Sequence, residues 1–563
     1  MNCKWRIVMK KFKYIIFAMT LLMLAACTDD SEVMEEENAA SDSSGGDLVA
    51  SYASDASSLD PAGQNDLPSD QRRNVIYEGL FYLDEDLNPQ PRLATDYEQT
   101  DDTTWVFNLR EGVKFHDGTD FNADAVKASF ERIMDPAVAS ARANIFEMIS
   151  EINVIDDYTI EIVTEYPFAP FLNYLAHDGA GIVSKEVIDE DYQNAIDQSD
   201  QDISLDEFYE LREAGGEEYE AVAQAVGNNT GAIIEQKPIG TGYMQFQSRT
   251  PGEEIVVERF DDYWDEPAKL DTVTFKVVVE DASRIAELES GQSHFIQGFD
   301  NGQWERIENH PEMETYPVYN LSNEYIGMNT QEGPLEDKRV RQAIAHMVDK
   351  EEIMEGIYFG VGREMKGAIQ QELLGYNENL EDLDYDPERA KELLSEAGYE
   401  DGFDLTVMTN DSPERVDLAV LMQEKLKEIG INLEIEQLEW GAYLEAVSNG
   451  EHDLFILGWP NPVGDPDQSF WPLVHSSMQG ASGNRSFYEN EEVDSLLEQG
   501  RQELDEGKRE EIYQRVDEIL IEDQPFVSIR QAQSANAART EVQGLEINNF
   551  NKPDFRNVTL ESE

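Results

Sequence analysis

The chain has 563 residues and carries 42 Lys and Arg against 118 Asp and Glu, a net charge of -76. Its mean hydropathy of -0.54 excludes a polytopic membrane protein. The acidity excludes nucleic-acid binding as the main role, because phosphates need a basic footprint. The length allows roughly three to five domains, with ample room for a core.

The chain opens on Lys4, Arg6, Lys10, Lys11 and Lys13, with no acid among residues 1–13. The apolar run 14–26 that follows is short for a bilayer span and reads as the core of a signal peptide. It ends in Leu24, Ala25, Ala26 and Cys27, a tetrad that resembles a bacterial lipobox. That resemblance implies cleavage before Cys27 and diacylation of this cysteine; the alternative is an ordinary signal peptide with a chance cysteine. Cys3 would leave with residues 1–26. A lipidated Cys27 then leaves no thiol for a disulfide, a zinc site or a nucleophile. Two acyl chains are enough for a stable anchor. Residues 27–46 are rich in Asp, Glu, Ser, Ala and Gly and read as an acidic tether. Without the five leader cations, 37 bases face 118 acids, a net charge of -81. Self-repulsion of that size opposes compaction, and salt screens it. A salt-adapted protein is expected; a merely acidic secreted one is the alternative.

Further along, strands are expected at 48–53 and 104–109. Residues 187–232 are strongly acidic with weak apolar period, and read as a partly helical surface insertion. They lack the Asp-x-Asp-x-Asp-Gly spacing of a calcium loop. Residues 337–359 have helical period, with Val340, Ala343, Ile344, Met347 and Val348 on one face and Asp337 as cap. A second helix is expected over 386–397, with Pro387 in its first turn and Gly398 past its end.

The stretch 403–458 reads as β-α-β-α-β. A strand at 403–408 is followed by a helix opened by Ser412 and Pro413 and stopped at Gly430. Ile431, Leu433 and Ile435 then alternate with polar residues, as in a half-buried strand. A short helix at 440–447 and an apolar strand at 453–457 complete the unit. This order favours parallel strands with right-handed crossovers, and ligands sit beyond the carboxyl ends of such strands. Those ends are 409–412 and 458–461.

Several motifs resemble the substrate-binding proteins of bacterial ABC importers, in the family that includes peptide, nickel and glutathione binders (family 5 solute-binding proteins). They are Phe-Asn-Leu-Arg-Glu-Gly-Val-Lys-Phe-His-Asp-Gly at 107–118, Phe-Asn-Ala-Asp-Ala-Val at 121–126 and Ile-Gly-Thr-Gly at 239–242. Phe-Asp-Asp-Tyr-Trp at 260–264, Val-Arg-Gln-Ala at 340–343 and Gly-Asp-Pro-Asp at 464–467 follow. The similarity covers about residues 47–560. Residues 115–126 and Leu-Ala-His at 175–177 look most like the glutathione-binding branch, with the dipeptide-binding branch as near competitor.

The resemblance implies an α/β fold: a two-lobed periplasmic-binding-protein clamp (type II, cluster C) with an extra α/β domain. Carried over, lobe I takes 47–76, 237–313 and 524–563, the extra domain 77–236, and lobe II 314–523. It also implies that Gly458, Trp459, Pro460 and Asn461 line the ligand cavity. Relatives commonly carry an aspartate three residues after this tryptophan, where it grips the ligand's amino terminus. Here the position holds Pro462, which has neither charge nor backbone donor. Asp465 or Asp467 could substitute, although their spacing suits a turn equally well.

Glutathione is anionic, so so acidic a protein must offer it local cations. Arg415, on the first turn of a helix, and Arg485, in a Gly- and Ser-rich loop, are the candidates, because the guanidinium fork pairs with carboxylates. A solvated or structural arginine is the alternative for each. Trp440, Tyr443 and His177 are either cavity wall or core. The seven histidines, at 116, 177, 294, 310, 346, 452 and 475, include no i, i+4 metal pair. A nickel chelate held by few protein atoms stays an alternative. No Gly-x-Ser-x-Gly, zinc motif or phosphate loop is present, so an enzyme is not expected and a secreted hydrolase is the distant alternative.

The expected role is capture of glutathione or a small peptide and delivery to membrane permease subunits. The expected protein is a monomer without cofactor or metal, anchored by Cys27 to the outer face of the cytoplasmic membrane. A peptide-sensing receptor uses the same clamp and stays open as an alternative.

Overall fold

The computed structural model describes residues 45–561. The leader, Cys27 and nearly all of the tether lie outside the described residues, and the expected lipidation with them. Among the described residues no helix is long and apolar enough to cross a membrane.

Two large mixed sheets form the two lobes. The first has seven strands in the order Met313–Thr315, Asn536–Arg539, Phe295–Gln297, Asp47–Tyr52, Thr272–Val277, Glu254–Arg259 and Met244–Thr250. The expected strand at 48–53 is its centre and runs parallel to both of its neighbours. The second has six strands, in the order Arg363–Glu364, Phe526–Gln531, Ser322–Met328, Leu454–Pro460, Phe403–Thr409 and Ile431–Gln437.

The β-α-β-α-β reading holds in the second sheet. Phe403–Thr409 pairs in parallel with both Ile431–Gln437 and Leu454–Pro460. The crossovers are the helices Pro413–Lys427 and Trp440–Ser448. Alternation along the strands divides the core: Ile326, Leu405, Val407, Ile431 and Leu433 pack on one face, and Tyr325, Met408, Phe455 and Leu457 on the other.

Residues 337–359 form two helices where one is expected. Lys338–Ala345 is capped by Asp337, and Lys350–Gly356 by Asp349, whose side chain accepts from the Glu352 amide at 3.1 Å. The apolar period continues through the turn between them, since Met347 and Val348 are also buried. Periodicity alone therefore hides the break, which Asp349 makes by offering the backbone a local acceptor. The expected helix at 386–397 is present as Pro387–Ala397, with Asp386 at its start and Gly398 in the left-handed region at its end.

The chain crosses between the large sheets twice. The two crossings lie side by side as a short antiparallel ribbon, Val318–Tyr319 paired with Gln533–Ser534. Phe526–Gln531 belongs to the second sheet, so the expected return to lobe I at 524 falls too early. The first sheet is re-entered only at Asn536–Arg539.

A third, four-stranded antiparallel sheet has the order Ala94–Gln99, Thr104–Leu109, Thr159–Thr164 and Ile149–Asp156. Residues 187–232 are more ordered than a partly helical surface insertion. The helices Lys185–Asp197, Leu205–Ala214 and Gly216–Val226 bury Tyr192, Phe208, Tyr219 and Val226, and these join the core that contains Leu48, Val273 and Phe275. Their many acids mask the apolar stripe in the sequence. Gly240 and Gly242 dock this region closely. A Cβ on Gly240 would clash with the Ile76 carbonyl oxygen, and one on Gly242 with that of Val75. Between them Thr241 donates to buried Glu78 at 2.9 Å.

Candidate functional site

The strand Leu454–Pro460 ends where the sheet argument places a ligand. Trp459 and Pro460 there wall a cavity of about 250 Å³. The facing wall comes from Asn65 and from residues 141–174, including Asn144, Met148, Tyr166 and Tyr174. Trp459 is half-buried, and its indole N–H donates to the Gln468 carbonyl at 2.9 Å, which fixes the ring. The two halves touch around this cavity. The Tyr174 hydroxyl donates to Asp467 at 2.9 Å, the Ala169 amide donates to the Arg501 carbonyl at 2.8 Å, and Val463 is buried in the core of the four-stranded sheet.

Asn461 is only 2 % exposed and its side chain is fully used. Its amide group donates to the Asp465 carbonyl at 2.7 Å and to Ser469 at 2.9 Å, while its oxygen accepts from the Val463 and Gly464 amides. It shapes the loop and has no side-chain polar group left for a ligand. Asp465 and Asp467 are likewise committed. Asp465 caps the helix Pro466–Val474 and pairs with both arms of Arg509 at 2.7 and 2.6 Å. Asp467 holds Arg501 at 2.8 and 3.1 Å as well as Tyr174. Both carboxylates are buried and paired, so neither replaces the acid missing at Pro462.

Arg415 lies beside the same strand end. A Cβ on Gly458 would sit 3.6 Å from its Nη2. Arg415 donates to Asn410 at 3.1 Å and lies 5.7 Å from the Trp440 ring centroid, which brings Arg415, Gly458 and Trp440 together. It forms no salt bridge among the described residues. The helix start beside it already carries Glu414, which accepts from Ser412 at 3.0 Å, and Ser412 makes no cap. The expected pull of that helix end on an anion is thus met partly from within. Trp440 is 44 % exposed and does not line the cavity. Tyr443 is core, its hydroxyl donating to the Ile456 carbonyl at 2.7 Å.

Arg485 makes none of the contacts that join Arg415, Gly458 and Trp440, although both guanidiniums act on the buried Tyr325 and Tyr443. Its Nε donates to Ser448 at 3.3 Å, and its carbonyl faces the His452 ring at 3.0 Å. Both neighbours lie at the amino end of the strand Leu454–Pro460. The loop that follows the pocket segment in sequence has turned back across the sheet, because Ser486 accepts from Thr330, just past the antiparallel strand Ser322–Met328.

His177 borders a second cavity of about 100 Å³ that also meets Arg73, Arg92, Lys552 and, across from them, Pro462. Its Nδ1 accepts from the Gly179 amide at 2.9 Å, and its Nε2 is buried without a partner. Burial, helped by Arg142, holds its pKa well below the usual histidine value, so the ring is neutral. Pro462 lines both cavities and separates them. The sequence reading missed Tyr166, Tyr174, Met148 and Trp471, which line the cavity beside Trp459. Trp471 follows the Gly-Asp-Pro-Asp motif closely and was within reach of sequence reasoning. The others lie hundreds of residues from Trp459, with nothing local to mark them.

Comparison with known proteins agrees with this architecture. Residues 88–481 match the family described as bacterial extracellular solute-binding proteins, family 5. The dipeptide-binding protein of Escherichia coli K12 is 30% identical over 494 residues, covering 84% of this chain and 86% of that protein. The glutathione-binding protein GsiB of the same strain is 28% identical over 493 residues, covering 86% and 88%. Among solved structures, DppA of Helicobacter pylori in complex with the peptide STSA has a TM-score of 0.74 at 29% identity, covering 91% of this chain and 99% of that one. HbpA2 of Haemophilus parasuis has a TM-score of 0.78 at 26% identity, covering 92% and 100%. A lobe pair joined by a two-stranded ribbon, a cavity at the tips of parallel strands and a match over most of the length agree: the chain belongs to the family 5 bacterial extracellular solute-binding proteins, which bind solutes and are not enzymes.

Proposed function

We propose that the protein captures a short peptide-type solute between its lobes and delivers it to the permease of an ABC importer, held at the membrane by lipid on Cys27. The observation that carries this reading is the cavity walled by Trp459 and Pro460 on one side and residues 141–174 on the other. A ligand touching both walls binds the closed arrangement better than the open one, which is the only way a ligand can shift that balance. The cavity, about 250 Å³, falls just under the roughly 300–1,000 Å³ usual for small-molecule sites. A long peptide would need it to open. Glutathione is a second reading, favoured by Arg415, which lies beside the strand end outside the lining of this cavity and among the described residues pairs with no carboxylate.

Calorimetry with a panel of dipeptides, glutathione and longer peptides tests both. Trp459→Ala is expected to weaken the best ligand about tenfold or more. Arg415→Ala is expected to weaken glutathione more than it weakens a dipeptide amide, and Arg485→Ala to leave both unchanged. Equal affinities in wild type and Trp459→Ala would remove the site. A melting temperature that does not rise with molar salt would remove the reading of the acidic surface as a salt adaptation.

A further inference from the structure

The cavity between the second-sheet lobe and residues 141–174 is walled in good part by large apolar and aromatic side chains. Besides Trp459, it is lined by Trp471, Tyr166, Met148, Met478 and Ile145. Trp471 is held firmly. The Arg501 guanidinium carbon lies 3.7 Å from its ring centroid, and the His475 ring stacks on it at 3.7 Å and 17°. Two groups that close to one ring must take opposite faces, so the indole offers the cavity its edge. Among the described residues Arg501 is the one cation lining this cavity, and its charge is already used by Asp467. That leaves no unspent positive charge in the cavity for a carboxylate.

The negative side differs. Among the described residues Glu147 is the one carboxylate lining the cavity. It is exposed, and among the described residues it has no hydrogen-bond or ion-pair partner. On the opposite wall Pro462 offers no charge, and Asp465 and Asp467 are paired off. A cavity with large aromatic and thioether walls and an unpaired carboxylate at its edge suits a ligand with a bulky apolar group and an ammonium.

We infer that the cavity selects a short peptide with a bulky apolar side chain, seated against Trp471, Tyr166 and the two methionines, with its terminal ammonium on Glu147. This rests on the reading of the cavity as the ligand site, and makes Glu147 and Trp471 its specificity determinants. The side chain gains from leaving water, and the carboxylate gains a charge-assisted hydrogen bond once the ligand covers it.

The test is calorimetry on the folded protein with four probes: Leu-Leu, Gly-Gly, N-acetyl-Leu-Leu and glutathione. Leu-Leu is expected to bind about tenfold or more tighter than Gly-Gly. Glu147→Gln should cost Leu-Leu about tenfold and leave the acetylated peptide where it was; Glu147 is exposed, so this variant folds. Trp471→Ala should narrow the preference for Leu-Leu over Gly-Gly. If Gly-Gly matches Leu-Leu, or glutathione exceeds it, the inference is overturned while the ligand site stands. If Glu147→Gln weakens free and acetylated peptides equally, Glu147 has no role with the ammonium. If none of the probes binds, the site itself falls, and the inferred preference with it.

Discussion

Arg509→Ala is expected to destabilise the protein by about 3–5 kcal/mol. Arg509 and Asp465 are 6 % and 4 % exposed, and the pair is bidentate. Arg509 also donates to the Gly500 carbonyl at 2.8 Å and to the Tyr513 hydroxyl at 3.2 Å. Truncating it leaves the Asp465 carboxylate buried with only the Asp467 amide, at 2.9 Å, as partner. An uncompensated charge in that position is far more costly than the ion pair is valuable, so the loss should exceed that of the neutral double variant Arg509→Met with Asp465→Asn. The damage should also reach the cavity. Asp465 accepts from Asn461 through its carbonyl, and Asn461 orders the loop that carries Pro460 and Pro462. Urea unfolding checks the first point and dipeptide calorimetry the second. A single variant within about 1 kcal/mol of wild type would contradict the account of this pair.

Asp517→Asn is expected to stabilise the protein at neutral and alkaline pH. Asp517 is 2 % exposed, packed against Gly367 and Ala368. Burial, and secondarily Asp382, push its pKa from the ordinary 3.8 up to about 7, against the opposing pull of the Ala368 amide and Lys350. Below pH 3.8 folded and unfolded chains both hold the proton. Between 3.8 and 7 only the folded chain does, so this group's contribution to stability falls steadily as pH rises through that window. At about 1.4 kcal/mol per unit, the total loss above pH 7 is on the order of 4 kcal/mol. Asparagine carries no such proton, and its oxygen can still accept from Ala368, which donates to Asp517 at 2.8 Å. The variant should therefore melt higher than wild type at pH 8, with the gap closing towards pH 4. Parallel melting profiles from pH 5 to 8 would refute the assignment.

Much of the second lobe was legible because its information is local. Apolar alternation at Ile431, Leu433 and Ile435, the Pro413 start and the Gly430 stop all lie within one unit, and parallel pairing follows from the connection. The place of Trp459 and Pro460 at the carboxyl tip of a parallel strand was legible for the same reason. What was not legible is non-local. Nothing near Trp459 announces that Tyr166 and Tyr174 face it, or that Ser322–Met328 separates Leu454–Pro460 from Phe526–Gln531. Arg485 follows the pocket segment in sequence, but the backbone of its loop returns to the amino end of the strand, a turn that no local signal marks. Asn461 shows a different limit. Its type and position suited a ligand contact, but its hydrogen bonds are closed within the loop.

The ribbon of Val318–Tyr319 and Gln533–Ser534 has a consequence for how such a chain can be rebuilt. Everything between its two strands is one uninterrupted stretch, and its entry and exit are neighbours, with Val318 opposite Ser534 and Tyr319 opposite Gln533. That stretch can be lifted out and exchanged for its counterpart from a relative through two adjacent splice points, leaving the first sheet's strand order untouched. Half of the recognition surface is thereby a replaceable cassette, and a chimaera made at these positions would carry one parent's Trp459 wall against the other parent's Tyr166 wall.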